Sequence, residues 1–319
     1  VMLLPTGSRQ AMESIMQACC AVFGGADSFA ARPRTIALIN TNSPLSLDGK
    51  MLDCLMVLAK YGQPAILCPA AMLGATGPLP MAGTLASGTA EDPAGIALAQ
   101  MVRPGTPVVF GIQSTAADMH SILFACSAPE GTVMQGFGAK MARFYGLPSR
   151  GGGSQTDAPV VNAQAGYESM LTCYSAYRHG INLVMEAGGV VASVNATSID
   201  KMICDFEIIR QVKTAFKPLE VNEETLDLTE IKEVGHDGSF LTTDYTLDHF
   251  MNLYIPRIGS RNAQSPTYFE DSIDKEVNRL LEAYEAHRPT VDAAVLEQVK
   301  AVFADAGVPA SRLEAIEAL

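Results

Sequence analysis

A handful of polar side chains stand where apolar runs end, and together they could bind and orient a small charged molecule. Glu186 directly follows the run Ile181–Met185. A carboxylate behind such a run is costly unless partnered, which makes it the leading candidate for chemistry. The stretch Arg150-Gly151-Gly152-Gly153-Ser154-Gln155-Thr156-Asp157 follows Leu147 and Pro148. It offers a cation, glycines through which a ligand could approach the backbone, an amide and a second carboxylate. Gln113 follows Pro107–Gly111 and reads equally as a ligand hydrogen-bond donor or a loop cap. Asn42 follows Thr35–Asn40, in a segment Asn40-Thr41-Asn42-Ser43-Pro44 whose composition also suits a plain turn. No histidine joins this set: His120, His179, His236, His249 and His287 lie elsewhere. Ser-His-Asp chemistry and metal-assisted hydrolysis therefore lack their parts.

These residues need a scaffold that brings run ends together. The strand-like segments are Val1–Leu4, Thr35–Asn40, Ala65–Cys68, Pro107–Gly111, Leu147–Gly151 and Ile181–Met185. All but the fifth are continuously apolar, as parallel strands covered on both faces are. Leu3, Ile36, Ile66, Val108, Pro148 and Leu183 recur at intervals of 33, 30, 42, 40 and 35 residues. Those are strand-plus-crossover lengths. The intervening helices have readable caps and stripes. Ser8 precedes Met12, Ile15, Met16, Cys19 and Val22, with Gly24-Gly25 as the stop. Asp48 precedes Leu52, Leu55, Met56 and Ala59. Tyr167, Met170, Leu171 and Tyr174 give a third stripe, and Ile199, Ile203, Phe206, Ile208 and Ile209 a fourth. Gly74–Glu91 is too rich in small residues for a helix and is expected to be a loop.

The expected fold is α/β, a TIM (β/α)8-type barrel. Six units fall short of eight, and the chain opens on Val1 already inside a strand pattern, so about two N-terminal units are expected to precede it. An open doubly wound sheet is the alternative, but no Gly-x-Gly-x-x-Gly follows any of the strands. Residues 1–218 would form the barrel part. Residues 219–319 would form a helical extension, with helices starting at Val221, spanning Ser239–Tyr254, and pairing Leu280–Tyr284 with Val291–Phe303.

Composition removes several classes. The net charge of −12 opposes a nucleic-acid-binding surface. No window has the length and apolarity of a membrane span. The 7 cysteines are odd in number and scattered, with no Cys-x-x-Cys, so neither a disulfide framework nor a metal site is expected, and a reducing cytoplasm is.

The loop after the fifth strand carries a family pattern. Thr156-Asp157-Ala158 followed by Asn162-Ala163-Gln164-Ala165-Gly166-Tyr167-Glu168 resembles the signature of the trimethylamine methyltransferase family. Ala65–Pro78, Pro104–Val109 and Ala142–Pro148 are similar to other stretches of it, and Glu233-Val234-Gly235 and Phe240–Phe250 to its tail. The likeness covers roughly residues 1–260. It implies a TIM barrel and transfer of a methyl group to cob(I)alamin on a separate corrinoid protein. The family commonly places Lys after Asp-Ala and an acid before Ala-Gln, where this chain has Pro159 and Asn162. That is similar to the branch without pyrrolysine, whose known members demethylate quaternary amines such as glycine betaine.

The resemblance gives the candidates roles. Glu186 would balance the ammonium, with Asp157 as the second catalytic carboxylate. Gln113 and Asn42 would orient the substrate, and Gln155 with Asp157 would shape the mouth. Arg150 and the amides of Gly151, Gly152 and Gly153 would hold a substrate carboxylate or the cofactor's edge. Phe110 and Tyr167, with Phe137, Tyr145 and Tyr174, are the aromatic faces a cation could use. The implied partners are a small methylated amine, the cognate corrinoid protein and a second copy of the chain; no metal is expected in the chain itself. A non-catalytic ligand-binding barrel and a lyase acting on small acids are the alternatives.

Overall fold

The computed structural model describes residues 2–3, 7–262, 268–288 and 290–314. Its centre is a six-stranded parallel sheet: β1 (Met2–Leu3), β2 (Ile36–Asn40), β3 (Ala65–Cys68), β4 (Val108–Gly111), β5 (Ser149–Gly152) and β6 (Leu183–Met185). Of the expected first strand, Val1 and Leu4 lie outside the described residues. Spatial order follows chain order throughout. Each crossover therefore moves the chain one strand in the same direction, which is barrel winding; a doubly wound sheet reverses direction part-way. β1 pairs only with β2 and β6 only with β5 among the described residues, so the sheet is curled but open.

The curl shows in the core. Ile66, Cys68 and Val109 form a cluster on the concave face, and Ile36 and Leu38 of β2 pack against it together with Leu183 and Met185 of β6. Alternation puts Ala37, Ile39, Leu67 and Phe110 on the convex face, under helices.

Those helices are α1 (Arg9–Val22), α2 (Gly49–Lys60), α3 (Met81–Val102), α4 (Pro129–Phe144), α5 (Ala163–Arg178) and α6 (Ile199–Ala215). Ser8 caps α1 through Ala11 N, and Asp48 caps α2 through the amides of Lys50 and Met51. Met12 and Met16 of α1 and Leu55 and Leu58 of α2 are fully buried.

Three expectations about helices change. The small-residue segment expected to be a loop carries the first half of α3, and only Gly74–Pro80 remains loop. The small residues of α3 serve contact: beyond that segment, a Cβ on Gly95 would lie 2.4 Å from Leu67 Cδ1, so glycine lets the helix press against β3. Tertiary packing overrides the low local propensity. On α5, Tyr167, Leu171 and Tyr174 are exposed, and the buried face is Ala165, Ser169, Thr172, Cys173 and Ala176. A close-packed helix buries its small residues and leaves the large ones outside. On α6, Ile199 and Phe206 are exposed, while the charged Lys201, Asp205 and Glu207 are buried.

Beyond Ala215 the chain is helical but more broken than expected. Val221–Leu226 forms turns, and the next helix is Thr229–Val234. Ser239–Tyr254 divides into 3-10 turns at Phe240–Thr242 and Phe250–Asn252 around a helix at Asp244–His249. The last two long helices are α7 (Phe269–Ala286), which begins well ahead of Leu280, and α8 (Ala293–Asp305), which leaves Val291 outside it; they pack on different helices. α7 packs on α6, where Ile258, Ile273, Val277 and Leu280 join Ile203 and Cys204, and α8 packs on α1. No described helix is long and apolar enough to cross a membrane.

Candidate functional site

The concave face gathers its polar groups at the C-terminal ends of β4, β5 and β6. Arg150 projects inward from β5, and Glu186 is the first residue after β6. Both Glu186 oxygens accept from Arg150 Nη2. Arg150 Nη1 donates to Gln113 Oε1, Gln113 Nε2 donates to Gln155 Oε1 at 3.0 Å, and Gln155 Nε2 donates to Glu186 Oε2 at 3.4 Å. These bonds close a ring of four side chains from three successive strand ends. The remaining guanidinium contacts are to sulfur: Nε lies 3.4 Å from Met185 Sδ and Nη1 3.3 Å from Cys68 Sγ. Burial pushes the Cys68 thiol up to about 11, so it meets the guanidinium as a neutral group. A Cβ on Gly111 would lie 2.7 Å from the Leu67 carbonyl oxygen, so glycine lets β4 lie close against β3 beside this crossing.

Burial within the ring is graded. Arg150 is 2% exposed and Gln155 0%, whereas the Glu186 side chain keeps 17%. Glu186 is therefore the ring member with the most access to solvent. Its φ is +52°, a left-handed conformation that costs a residue with a Cβ on the order of 1 kcal/mol. Ser154, just before Gln155, is left-handed too, at +49°.

Other candidates lie elsewhere. Asp157 ties loops together: Oδ1 accepts from Cys126 N at 2.9 Å and Ser193 Oγ at 2.6 Å, and Oδ2 accepts from Ser127 N and Oγ. It joins the loops after β4, β5 and β6. Asn42 is exposed, its backbone paired both ways with Ser46 in a tight turn. That turn is fastened to α3, because Glu91 accepts from Thr41 Oγ1, Ser43 Oγ and Leu45 N. Gly151, Gly152 and Gly153 are buried, and the last two amides are already used, on Gln135 Oε1 and the Met185 carbonyl. A Cβ on Gly153 would lie 2.5 Å from Val184 Cγ1 and 3.7 Å from Cys173 Cα, so this triplet allows α5 and β6 to close on β5. It offers no open cradle to a ligand.

The aromatic candidates also fall outside the ring. Phe110 is on the convex face, stacked on Tyr145 at 5.9 Å between centroids. Tyr174 packs on Phe216, Tyr167 is 64% exposed on α5, and Phe137 is exposed on α4. The concave face beside the ring is aliphatic and sulfur-bearing instead. A concavity of about 760 Å³ lies outside the sheet, between the N-terminal ends of α5 and α6 and Phe269 of α7, and holds none of the ring residues. Among the described residues no group of three or more His, Cys, Asp and Glu could hold a metal ion.

A family model described as trimethylamine methyltransferase matches residues 1–305. This chain belongs to the trimethylamine methyltransferase family. A glycine betaine methyltransferase of Desulfitobacterium hafniense is 35% identical over 304 residues, 88% of this chain and 63% of that protein. The trimethylamine methyltransferase MttB1 of Methanosarcina acetivorans is 35% identical over 228 residues, 71% of this chain and 46% of the relative. That of Methanosarcina thermophila is 32% identical over 287 residues, 89% and 58%. The chain thus spans about half to two thirds of these relatives' lengths.

In this family member the signature residues after β5 are architectural. Asn162 caps α5 through Ala165 N, and Glu168 accepts from Thr156 Oγ1 at 2.6 Å and Asp157 N at 2.9 Å. Sequence reading missed Cys68 and Met185 as contacts of Arg150, Glu91 as the clasp of the β2 loop, and Lys201 and Asp205 on α6. For the last two a signal existed: positions 201, 205, 208 and 212 follow helical spacing, so both charges lie on the same stripe as Ile208 and Val212.

Proposed function

We propose that the protein moves a methyl group from a quaternary methylated amine to a corrinoid carried by a partner protein, with the Arg150–Glu186 ring as the substrate-facing site. The corrinoid supplies a strong nucleophile for a methyl cation. The N–CH3 bond breaks, the electron pair stays on nitrogen, and the amine leaves as a neutral tertiary amine. No proton moves, so a site without histidine is adequate. What the chain must supply is orientation.

The observation that carries this reading is the neutralised carboxylate. A quaternary ammonium loses its charge as the methyl group departs, so an unopposed anion would hold the substrate more strongly than the transition state and slow the reaction. Here Glu186 faces the mouth with its charge offset by buried Arg150. It can favour an ammonium without clamping it. Gln113 and Gln155 fix the carboxylate's orientation, and Arg150 acts through Glu186. The 35% identical relative named for glycine betaine supports a betaine as substrate.

The rim supports a place for the partner. The loops after β2 to β6 carry exposed apolar tips: Leu45, Leu79, Met119, Ile122, Val160 and Val194. An exposed apolar rim around a polar site suits a docking protein. Closure of the open sheet into an eight-stranded barrel by further βα units belongs to the same reading.

The test mixes the full-length protein, cob(I)alamin and a panel of betaines with trimethylamine as control. Growth of the methylcobalamin spectrum with a betaine is the expected result. No conversion with any amine would favour a non-catalytic barrel. A lyase acting on small acids would be supported by an anion bound at Gly151–Gly153, where the Gly152 and Gly153 amides already have partners within the chain.

A further inference from the structure

We infer that Lys201 and Asp205, one turn apart on α6, are positioning residues that hold Gln155 and Glu186 in register. Both are buried, at 1% and 0% exposure, and they pair with each other. Each also holds a loop. Lys201 Nζ donates to the Ser154 carbonyl at 3.0 Å, the peptide that leads into Gln155. Asp205 Oδ2 accepts from Gly189 N at 2.8 Å, three residues beyond Glu186. One ion pair on one rigid helix thus fastens the loops after β5 and β6, and those loops deliver Gln155 and Glu186, two of the three ring members that lie beyond strand ends. Both fastened loops carry left-handed residues, Ser154 and Glu186, conformations that persist only where the surroundings enforce them.

Stability alone does not account for the pair. Replacing a buried ion pair by apolar side chains of similar size is often neutral or stabilising, because two charges need not then leave water. Geometry is what such a replacement would lose. Neither residue touches the ring, so their effect passes through the backbone of Ser154–Gln155 and Glu186–Gly189.

The inference rests on the ring being the substrate site, and the test separates the two. The variants are the apolar pair Lys201→Met/Asp205→Leu and the single Lys201→Met, made in the full-length protein. Turnover is read with glycine betaine and cob(I)alamin, and amide exchange is read across residues 153–158 and 186–190. Expected for the apolar pair are an unchanged or higher melting temperature, a kcat lowered at least about tenfold with KM within about threefold, and faster exchange in both loops. Expected for Lys201→Met is the same loss of protection at the loop after β5. Wild-type protection and turnover within about twofold in either folded variant would overturn the inference. Failure of both variants to fold would also overturn it, since the pair would then be structural. A wild-type protein that transfers no methyl group would remove the proposed function and leave the exchange result to judge the tether.

Discussion

Arg150 and Glu186 form an ion pair across adjacent strands in which the cation is sealed and the anion keeps access to solvent. The asymmetry has consequences. Glu186→Gln keeps an acceptor for Arg150 and most of the volume, but removes the charge an ammonium would meet. Transfer should fall at least about tenfold, equivalent to roughly 1.4 kcal/mol, with the fold intact. Steady-state kinetics and circular dichroism check this, and unchanged kinetics would remove Glu186 from the site. Stability should respond unequally to deleting either partner. Glu186→Ala strands a cation that is 2% exposed, whereas Arg150→Met leaves a carboxylate with access to water. Breaking a buried pair costs about 3–5 kcal/mol, and Glu186→Ala should lie nearer that range. Thermal melts of the two variants give the comparison.

A second carboxylate sets a pH dependence. Asp92 on α3 is fully buried, and the Gly111 backbone N–H offers its carboxyl only weak support. Burial, with Glu91 beside it, holds its carboxyl well above the usual carboxylate range. A raised folded-state value means that its stabilising contribution is complete below the ordinary value of 3.8 and is lost as pH rises toward the folded one. Asp92→Asn removes the charge that neutral pH would force. Its melting temperature should match wild type near pH 4 and exceed it increasingly toward pH 7. Parallel curves over that range would show that Asp92 does not titrate on unfolding.

The aromatic residues divide by location. Phe110→Ala opens a cavity behind the sheet and should cost about 3–5 kcal/mol without a selective rise in KM. Tyr167→Ala, at a 64% exposed position, should change stability by no more than about 0.5 kcal/mol and leave transfer as it is. A KM rise of about tenfold in either would return an aromatic face to the substrate site.

The rim can be tested apart from the chemistry. Leu79 and Met119 are both exposed and both lie beside Gly74, where a Cβ would be 3.3 Å from the first and 3.7 Å from the second. Met119→Asp places a charge on that apolar patch. Transfer to a corrinoid protein should fall by about tenfold or more, while transfer to free cob(I)alamin should not change. Equal loss with both acceptors would place Met119 in the fold rather than in a docking surface.

How far the sequence reaches depends on how local the information is. The strand cores, the Ser8 and Asp48 caps and the six-unit spacing were legible because each is set by a few adjacent residues. The nomination of Glu186 was legible too, since a charge behind an apolar run signals a partner. The partner was not: Arg150 was assigned to a substrate carboxylate, and only the registration of β5 beside β6 shows it committed to Glu186. The α5 stripe was misread because period identifies a face without saying which neighbour covers it. The gap between α5 and Gly153, just after β5, favours Ala and Cys, and leaves Tyr167 and Tyr174 outside.

The sequence by itself determined that this is a strand-and-helix repeat of the trimethylamine methyltransferase family, with polar groups waiting at strand ends. Only the tertiary structure decided which of them meet, because Gln113, Arg150, Gln155 and Glu186 are separated by up to 73 residues along the chain and are joined by the curl of one sheet. Spacing along a chain fixes which face a side chain takes. Which faces oppose one another is a property of the packed whole.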